Sequence, residues 1–165
     1  ELVVRGPGVM AGYHGSDGAT ARVLDGDGWL RTEDLARRRG LGLVELVGRK
    51  KDVINSGGHS VFAAEVEDAL GRHPAVAETA VVGLPRSPLG EVPVAVAVPV
   101  RAGEVSEEDL LGWLAGRLAT FKLPRRILFV DRLPTTGNGK VQKDVVRTVA
   151  DQALANGAAT QGGAG

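Results

Sequence analysis

Beyond about Asp52 the apolar residues recur at regular spacing. Val66, Ala69, Leu70 and His73 fall on one helical face and predict an amphipathic helix over 63–72. The apolar run 77–84, bounded by Pro85, predicts a buried strand, and the valine-rich run 92–100 predicts a second. Pro93 and Pro99 lie near the ends of the second run, which fits an edge strand better than a central one. Ser106-Glu107-Glu108-Asp109 has the form of a capping box, and Leu110, Leu111, Leu114 and Leu118 follow it on one face. A strand over 126–130 and a helix over 143–150 complete the pattern. Such interleaving predicts an α+β domain, a short central sheet flanked by helices, over 51–150. The residues after it, 151–165, rich in Ala, Gly, Gln and Thr from Asn156, are expected to form a disordered tail.

The first fifty residues have a different texture. Leu2-Val3-Val4 is followed by Gly6-Pro7-Gly8, a short helical patch over 19–24, and the turn Asp25-Gly26-Asp27-Gly28. Gly40-Leu41-Gly42 joins candidate strands over 35–39 and 43–47 as a hairpin. This stretch is too glycine-rich for a core of its own and reads as the β-rich edge of something larger.

Composition narrows the function more than the fold. Twenty basic side chains balance twenty acidic ones, so no net field draws in nucleic acid or an anionic membrane. Without cysteine there is no disulfide, thiolate metal site or cysteine nucleophile. No apolar run approaches the roughly 18 residues needed to span a bilayer, and no signal peptide is visible, so a cytoplasmic location is expected. Opening on Glu1-Leu2-Val3 without Met, the chain is expected to be a piece of a longer protein.

Three blocks carry the chemistry: Gly28-Trp29-Leu30-Arg31-Thr32-Glu33-Asp34; then Gly48-Arg49-Lys50-Lys51-Asp52 with Ser56-Gly57-Gly58 and Glu65-Val66-Glu67; then Pro134-Thr135-Thr136-Gly137-Asn138-Gly139-Lys140. His73-Pro74-Ala75-Val76 and Phe121-Lys122-Leu123-Pro124 lie between them. In this order and spacing they resemble the adenylate-forming superfamily of acyl-CoA synthetases, peptide-synthetase adenylation domains and luciferases. The resemblance runs from Glu1 to about Arg147 and points to the C-terminal portion of an AMP-forming acyl-CoA synthetase, in the setting of fatty acid metabolism. In that family a carboxylate attacks ATP, pyrophosphate leaves, and a thiol captures the acyl-adenylate while the C-terminal domain rotates between the steps.

On that resemblance 1–50 is the end of the large N-terminal domain and 51–150 is the mobile domain. Asp34 is implied to receive the ribose hydroxyls of ATP, since a carboxylate offers only acceptors. Arg49 is implied to contact the nucleotide through its planar fork of donors. Lys51 takes the hinge position, Gly57 and Gly58 wall the coenzyme A tunnel, and Lys140 is the catalytic cation at the reacting carboxylate and phosphate. Glycine is usual in the family where this chain has Glu33, and it would supply a backbone conformation that glutamate adopts at some cost. Taken alone, Gly-Asn-Gly-Lys is an exposed turn, and the Gly-x-x-x-x-Gly-Lys-Ser/Thr phosphate loop is absent. His59 is expected to be neither base nor ligand. The implied substrates are Mg-ATP, its metal held by the nucleotide and the upstream part, a carboxylic acid, and coenzyme A. The implied partner is the upstream domain, without which this chain is expected to be inactive; no protein metal site is implied. An adenylation domain loading a carrier protein, or a non-catalytic module derived from this domain, are the alternatives.

Overall fold

Alternation along two long strands organises the larger part of the molecule. The computed structural model describes residues 1–161 and divides into two units, Glu1–Lys51 and Asp52 onward. The first contains β1 (Val3–Val4), α1 (Asp17–Val23), β2 (Leu30–Arg31), β3 (Asp34–Arg38) and β4 (Val44–Arg49). β1 pairs with β2, and β3 pairs antiparallel with β4. The tip between β3 and β4 is a 3-10 turn, Gly40–Gly42, in which Leu41 has φ +60° and lies fully exposed. Leu43, Val44 and Leu46 are exposed on the same hairpin, and no residue of α1 or of the hairpin is fully buried.

The second unit contains β5 (Val53–Ser56), β6 (His59–Phe62), α2 (Ala63–Gly71), β7 (Val76–Arg86), β8 (Gly90–Pro99), α3 (Glu107–Ala115), β9 (Arg126–Phe129) and α4 (Lys143–Gln161). Its mixed sheet runs β6-β5-β8-β7, with β9 joining β8 in parallel. The α+β expectation holds, but β8 is the central strand rather than an edge. It pairs along its length with β7, while its opposite edge meets β5 at Ser56↔Gly90 and β9 from Val94↔Arg126. Pro93 is tolerated because its missing N–H faces the start of the β9 ladder. There its carbonyl accepts from Arg125 N–H at 2.7 Å, and strand pairing begins one residue later. Of the two long strands, the one that pairs on one side only is β7, which runs through Pro85 to Arg86.

Both faces of this sheet are buried. Val81, Ala95, Ala97 and Ile127 pack against α2 and α3 through Val66, Leu70, Leu110 and Leu114. Ala80, Val82, Leu84, Val92, Val94 and Val96 pack on the other face with Val146 and Ala150 of α4. Each buried Val, Leu or Ile side chain contributes about 1.5–3 kcal/mol, so the second unit has a substantial core on either side of one layer. The capping box at α3 forms as expected: Ser106 Oγ accepts from Asp109 N–H at 3.1 Å, and Asp109 Oδ2 accepts from Ser106 N–H at 3.1 Å. Trp113 Nε1 donates to the Ala69 carbonyl at 2.9 Å, joining α3 to α2.

Over 151–161 the expected tail is corrected. α4 continues through Gln161, because Leu154 still packs against the core and alanines, the strongest helix formers, fill its later turns. Positions 162–165 lie outside the described residues.

Candidate functional site

Antiparallel register brings Asp34 and Arg49 together, directly opposite each other where β3 begins and β4 ends. Arg49 Nε donates to Asp34 Oδ1 at 2.9 Å, and its Nη2 reaches the Thr32 carbonyl at 3.4 Å. Thr32 Oγ1 accepts from Asp34 N–H at 3.1 Å and donates to the Leu2 carbonyl at 2.7 Å, which fixes the backbone under the carboxylate. Arg49 is half exposed, so the pair adds at most about 1 kcal/mol and can open toward a ligand at little cost. An acceptor carboxylate beside a donor fork suits a diol or a phosphate oxygen.

Glu33 has φ +60°, the left-handed region where a side chain costs roughly 1–2 kcal/mol. Its carbonyl accepts from Lys50 N–H at 2.8 Å, which secures the conformation from the far end of β4. Lys51 is exposed within the 3-10 turn Lys50–Asp52, at the boundary between the two units.

Gly57 and Gly58 form the two-residue turn of the β5–β6 hairpin, between the paired residues Ser56 and His59. Their φ values, +56° and +81°, are those of a type I′ turn, which needs positive φ at both centres. A Cβ built on Gly58 would meet nothing within 4 Å, so the backbone faces open space there. The following His59 stacks on Phe121 with ring centroids 4.5 Å apart.

Lys140 ends a second tight turn. Thr136 N–H donates to the Lys140 carbonyl at 2.8 Å, Gly139 N–H to the Thr136 carbonyl at 2.9 Å, and Lys140 N–H to Thr136 Oγ1 at 3.2 Å. Thr135 and Val141 bridge its base. The backbone is therefore set while the Lys140 side chain is exposed, and its amine takes part in no ion pair among the described residues. Asp34 and Arg49 thus belong to the first unit, and Lys140 and the Gly57-Gly58 turn to the second, on separate turns.

These turns and strands have counterparts among known proteins. Residues 65–140 match the family described as the AMP-binding enzyme C-terminal domain. It is 48% identical over 147 residues to a feruloyl-CoA synthase of an Amycolatopsis species and 46% identical over 147 residues to an indoleacetate–CoA ligase of Aromatoleum aromaticum. Each match takes in 89% of this chain, which spans only 30% and 29% of those relatives. Among solved structures it is similar to ATP-bound MatB from Rhodopseudomonas palustris, with a TM-score of 0.80, 37% identity, and coverage of 89% of this chain and 29% of that one. The amide bond synthetase McbA from Marinactinospora thermotolerans is similar at a TM-score of 0.81 and 37% identity, covering 88% of this chain and 29% of that one.

Around the matched domain lies an ionic cluster that the motifs did not announce. Lys143 Nζ sits 2.8 Å from Glu67 Oε1 and 3.7 Å from Asp52 Oδ2, with 18–23% of each side chain accessible. Glu67 Oε1 also accepts from Val81 N–H at 2.7 Å, so α2, α4 and β7 meet at one carboxylate next to the first residue of the second unit. The available signal was a lysine in the first turn of α4, where the helix dipole disfavours a cation and a partner elsewhere must compensate. An open apolar pocket of about 550 Å³ between the sheet and α4, lined by Val96, Val130, Arg132, Leu133 and Val146, holds none of the candidate residues. Among the described residues, no cluster of His, Asp or Glu has a metal-binding arrangement, and no helix is long and apolar enough to cross a membrane.

Proposed function

We propose that this chain is the C-terminal part of an ATP-dependent, AMP-forming carboxylic acid–CoA ligase, with the first unit closing the nucleotide site and the second alternating between two half-reactions. The observation that carries the reading is the extended likeness, 44–48% over 147 residues, to acid–CoA ligases with different acids in their names. Asp34 and Arg49 would take the ribose and a phosphate oxygen of ATP, and the acceptor–donor pairing described above is compatible with both. Lys140, an uncommitted cation on a fixed turn, would offset the charge that builds as the carboxylate attacks the α-phosphorus. Lys51 would absorb the rotation, its unbranched side chain leaving φ and ψ free to change. Gly57 and Gly58 would wall the coenzyme A channel, in keeping with the open space beside Gly58. Any magnesium would arrive with ATP.

A second reading has one observation behind it. McbA is an amide bond synthetase of the same fold, so the adenylate could pass to an acceptor other than free coenzyme A. The decisive experiment uses the chain joined to its upstream part. Acid-dependent ATP–pyrophosphate exchange is measured across a panel of carboxylic acids, with coenzyme A, carrier-protein thiols and amines offered in turn. Lys140→Ala is expected to cut exchange by about 10²–10³-fold while leaving thioester formation from supplied acyl-adenylate within about twofold. Wild-type exchange in Lys140→Ala, or robust acid-dependent pyrophosphate release by the 165-residue chain alone, overturns the proposal.

A further inference from the structure

The Gly57-Gly58 turn is held from outside its own hairpin by the segment that enters β8. Gly57 N–H donates to the Leu89 carbonyl at 2.8 Å, and Ser56↔Gly90 is the single register pair joining β5 to β8. Two residues back on the same edge, Asn55 N–H has no strand partner and donates instead to Glu91 Oε2 at 3.1 Å. A carboxylate here takes the place of a missing strand. Without these ties the hairpin would rely on its own ladder and on Ile54 and Val61 beneath it.

The Glu91 side chain reaches Asn55 across space that β7 leaves open. Gly83 lies in the middle of β7, where glycine packs nothing and weakens the strand. A Cβ there would stand 3.0 Å from Glu91 Cδ and Oε2 and 3.1 Å from Oε1, against a carboxyl group already committed to a hydrogen bond. Gly83 is not in the left-handed region, so what glycine offers there is space and not conformation. Gly90 makes a related allowance, since its Cβ would lie 3.1 Å from the Asn55 carbonyl.

From this geometry we infer that Glu91 is a positioning residue for the Gly57-Gly58 turn, with Gly83 as its required spatial partner, and that the pair serves the thiol-capture step alone. The inference rests on the reading of that turn as the wall of the coenzyme A channel. A channel wall made of glycine backbone has no side chain to adjust its height. Its position is set by whatever holds the hairpin, and among the described residues Glu91 supplies the one side-chain tie from β8.

Three variants test it: Glu91→Ala, Glu91→Gln and Gly83→Ala. Hydrogen exchange at Asn55 and Gly57 is read in the 165-residue chain, and the two half-reactions are measured separately in the intact ligase. Glu91→Ala is expected to speed exchange at both amides and raise KM for coenzyme A by about tenfold or more, the scale of a misplaced binding element, while pyrophosphate exchange stays within about twofold. Glu91→Gln keeps a carbonyl acceptor at the same site and should restore most of the loss. Gly83→Ala should reproduce Glu91→Ala with residue 91 intact. Unchanged exchange at Asn55 and Gly57 in both Glu91→Ala and Gly83→Ala refutes the positioning role. Faster amide exchange with unaltered coenzyme A kinetics refutes the reading of the turn as a channel wall, leaving only a structural tie. Equal loss of both half-reactions refutes selectivity for thiol capture.

Discussion

Lys143→Ala isolates the ionic cluster at the entrance to the second unit. The lysine neutralises Glu67 at 2.8 Å and Asp52 at 3.7 Å, and its removal leaves two carboxylates close together with no cation between them. Breaking a fully buried pair costs about 3–5 kcal/mol. About a fifth of each side chain remains accessible here, and water enters readily once the amine is gone, so the expected loss is about 2 kcal/mol. For a unit of this size that lowers the unfolding midpoint by roughly 8 °C. The assay is urea unfolding followed by Trp113 fluorescence in a Trp29→Phe background, because Trp113 belongs to α3 and Trp29 lies outside the second unit. Glu67→Gln supplies the matching arm, since it keeps an oxygen for Val81 N–H and removes only the charge. Lys143→Ala and Glu67→Gln together should cost about 1 kcal/mol or more below the sum of the single changes. A loss of about 0.5 kcal/mol or less for Lys143→Ala, in the range of surface substitutions, or strict additivity in the double variant, would refute the argument.

Two further outcomes are expected. Glu33→Gly removes the strain of a side chain at φ +60°, and after the greater chain entropy of glycine is subtracted it should stabilise the first unit by up to about 1 kcal/mol, read by thermal unfolding; destabilisation would mean that Glu33 contributes contacts outweighing its backbone. Asp109 is held below its usual 3.8 chiefly by the Ser106 hydroxyl, then by the Ser106 N–H and more weakly by His73, against a small opposing effect of burial. A depressed carboxylate stabilises the fold fully above the usual value and loses that contribution as pH falls through the folded one. Amide protection at the start of α3 should therefore drop as pH descends below about 4, and Asp109→Asn should flatten that dependence.

What could be read from the chain was mostly local. The capping box needs four consecutive residues and appeared as expected, as did the β3–β4 hairpin, although its strands end one or two residues away from the positions the sequence suggested. The β5–β6 hairpin was missed because each strand is only four residues long, and Gly57-Gly58, a strong type I′ signal, was singled out only through the resemblance, as a tunnel wall. The place of β8 was misjudged because the cost of Pro93 depends on where β9 begins, and β9 lies about thirty residues farther along the chain. Among the candidate residues, Lys140, Asp34 and Arg49 stood out through short motifs. Lys143 and Glu91 did not, because their partners Asp52, Glu67, Asn55 and Gly83 are brought to them only by the folded sheet.

Burial on both sides removes the usual instruction by which a strand chooses its alignment. In a sheet with one wet face, a one-residue slip sends polar groups inward and is rejected at once. On β8 a slip would exchange one hydrocarbon surface for another, so polarity carries almost no message there. Volume carries it instead: Val92, Val94 and Val96 fill the side that meets the single helix α4, and Ala95 and Ala97 keep the side beneath α2 and α3 shallow. Sliding by one position would drive valines under the two helices and open voids beneath the third. The strand thus reads as an alternation of large and small in place of greasy and wet. Ala95→Val and Val94→Ala, each harmless by hydropathy, are the changes that would blur its alignment.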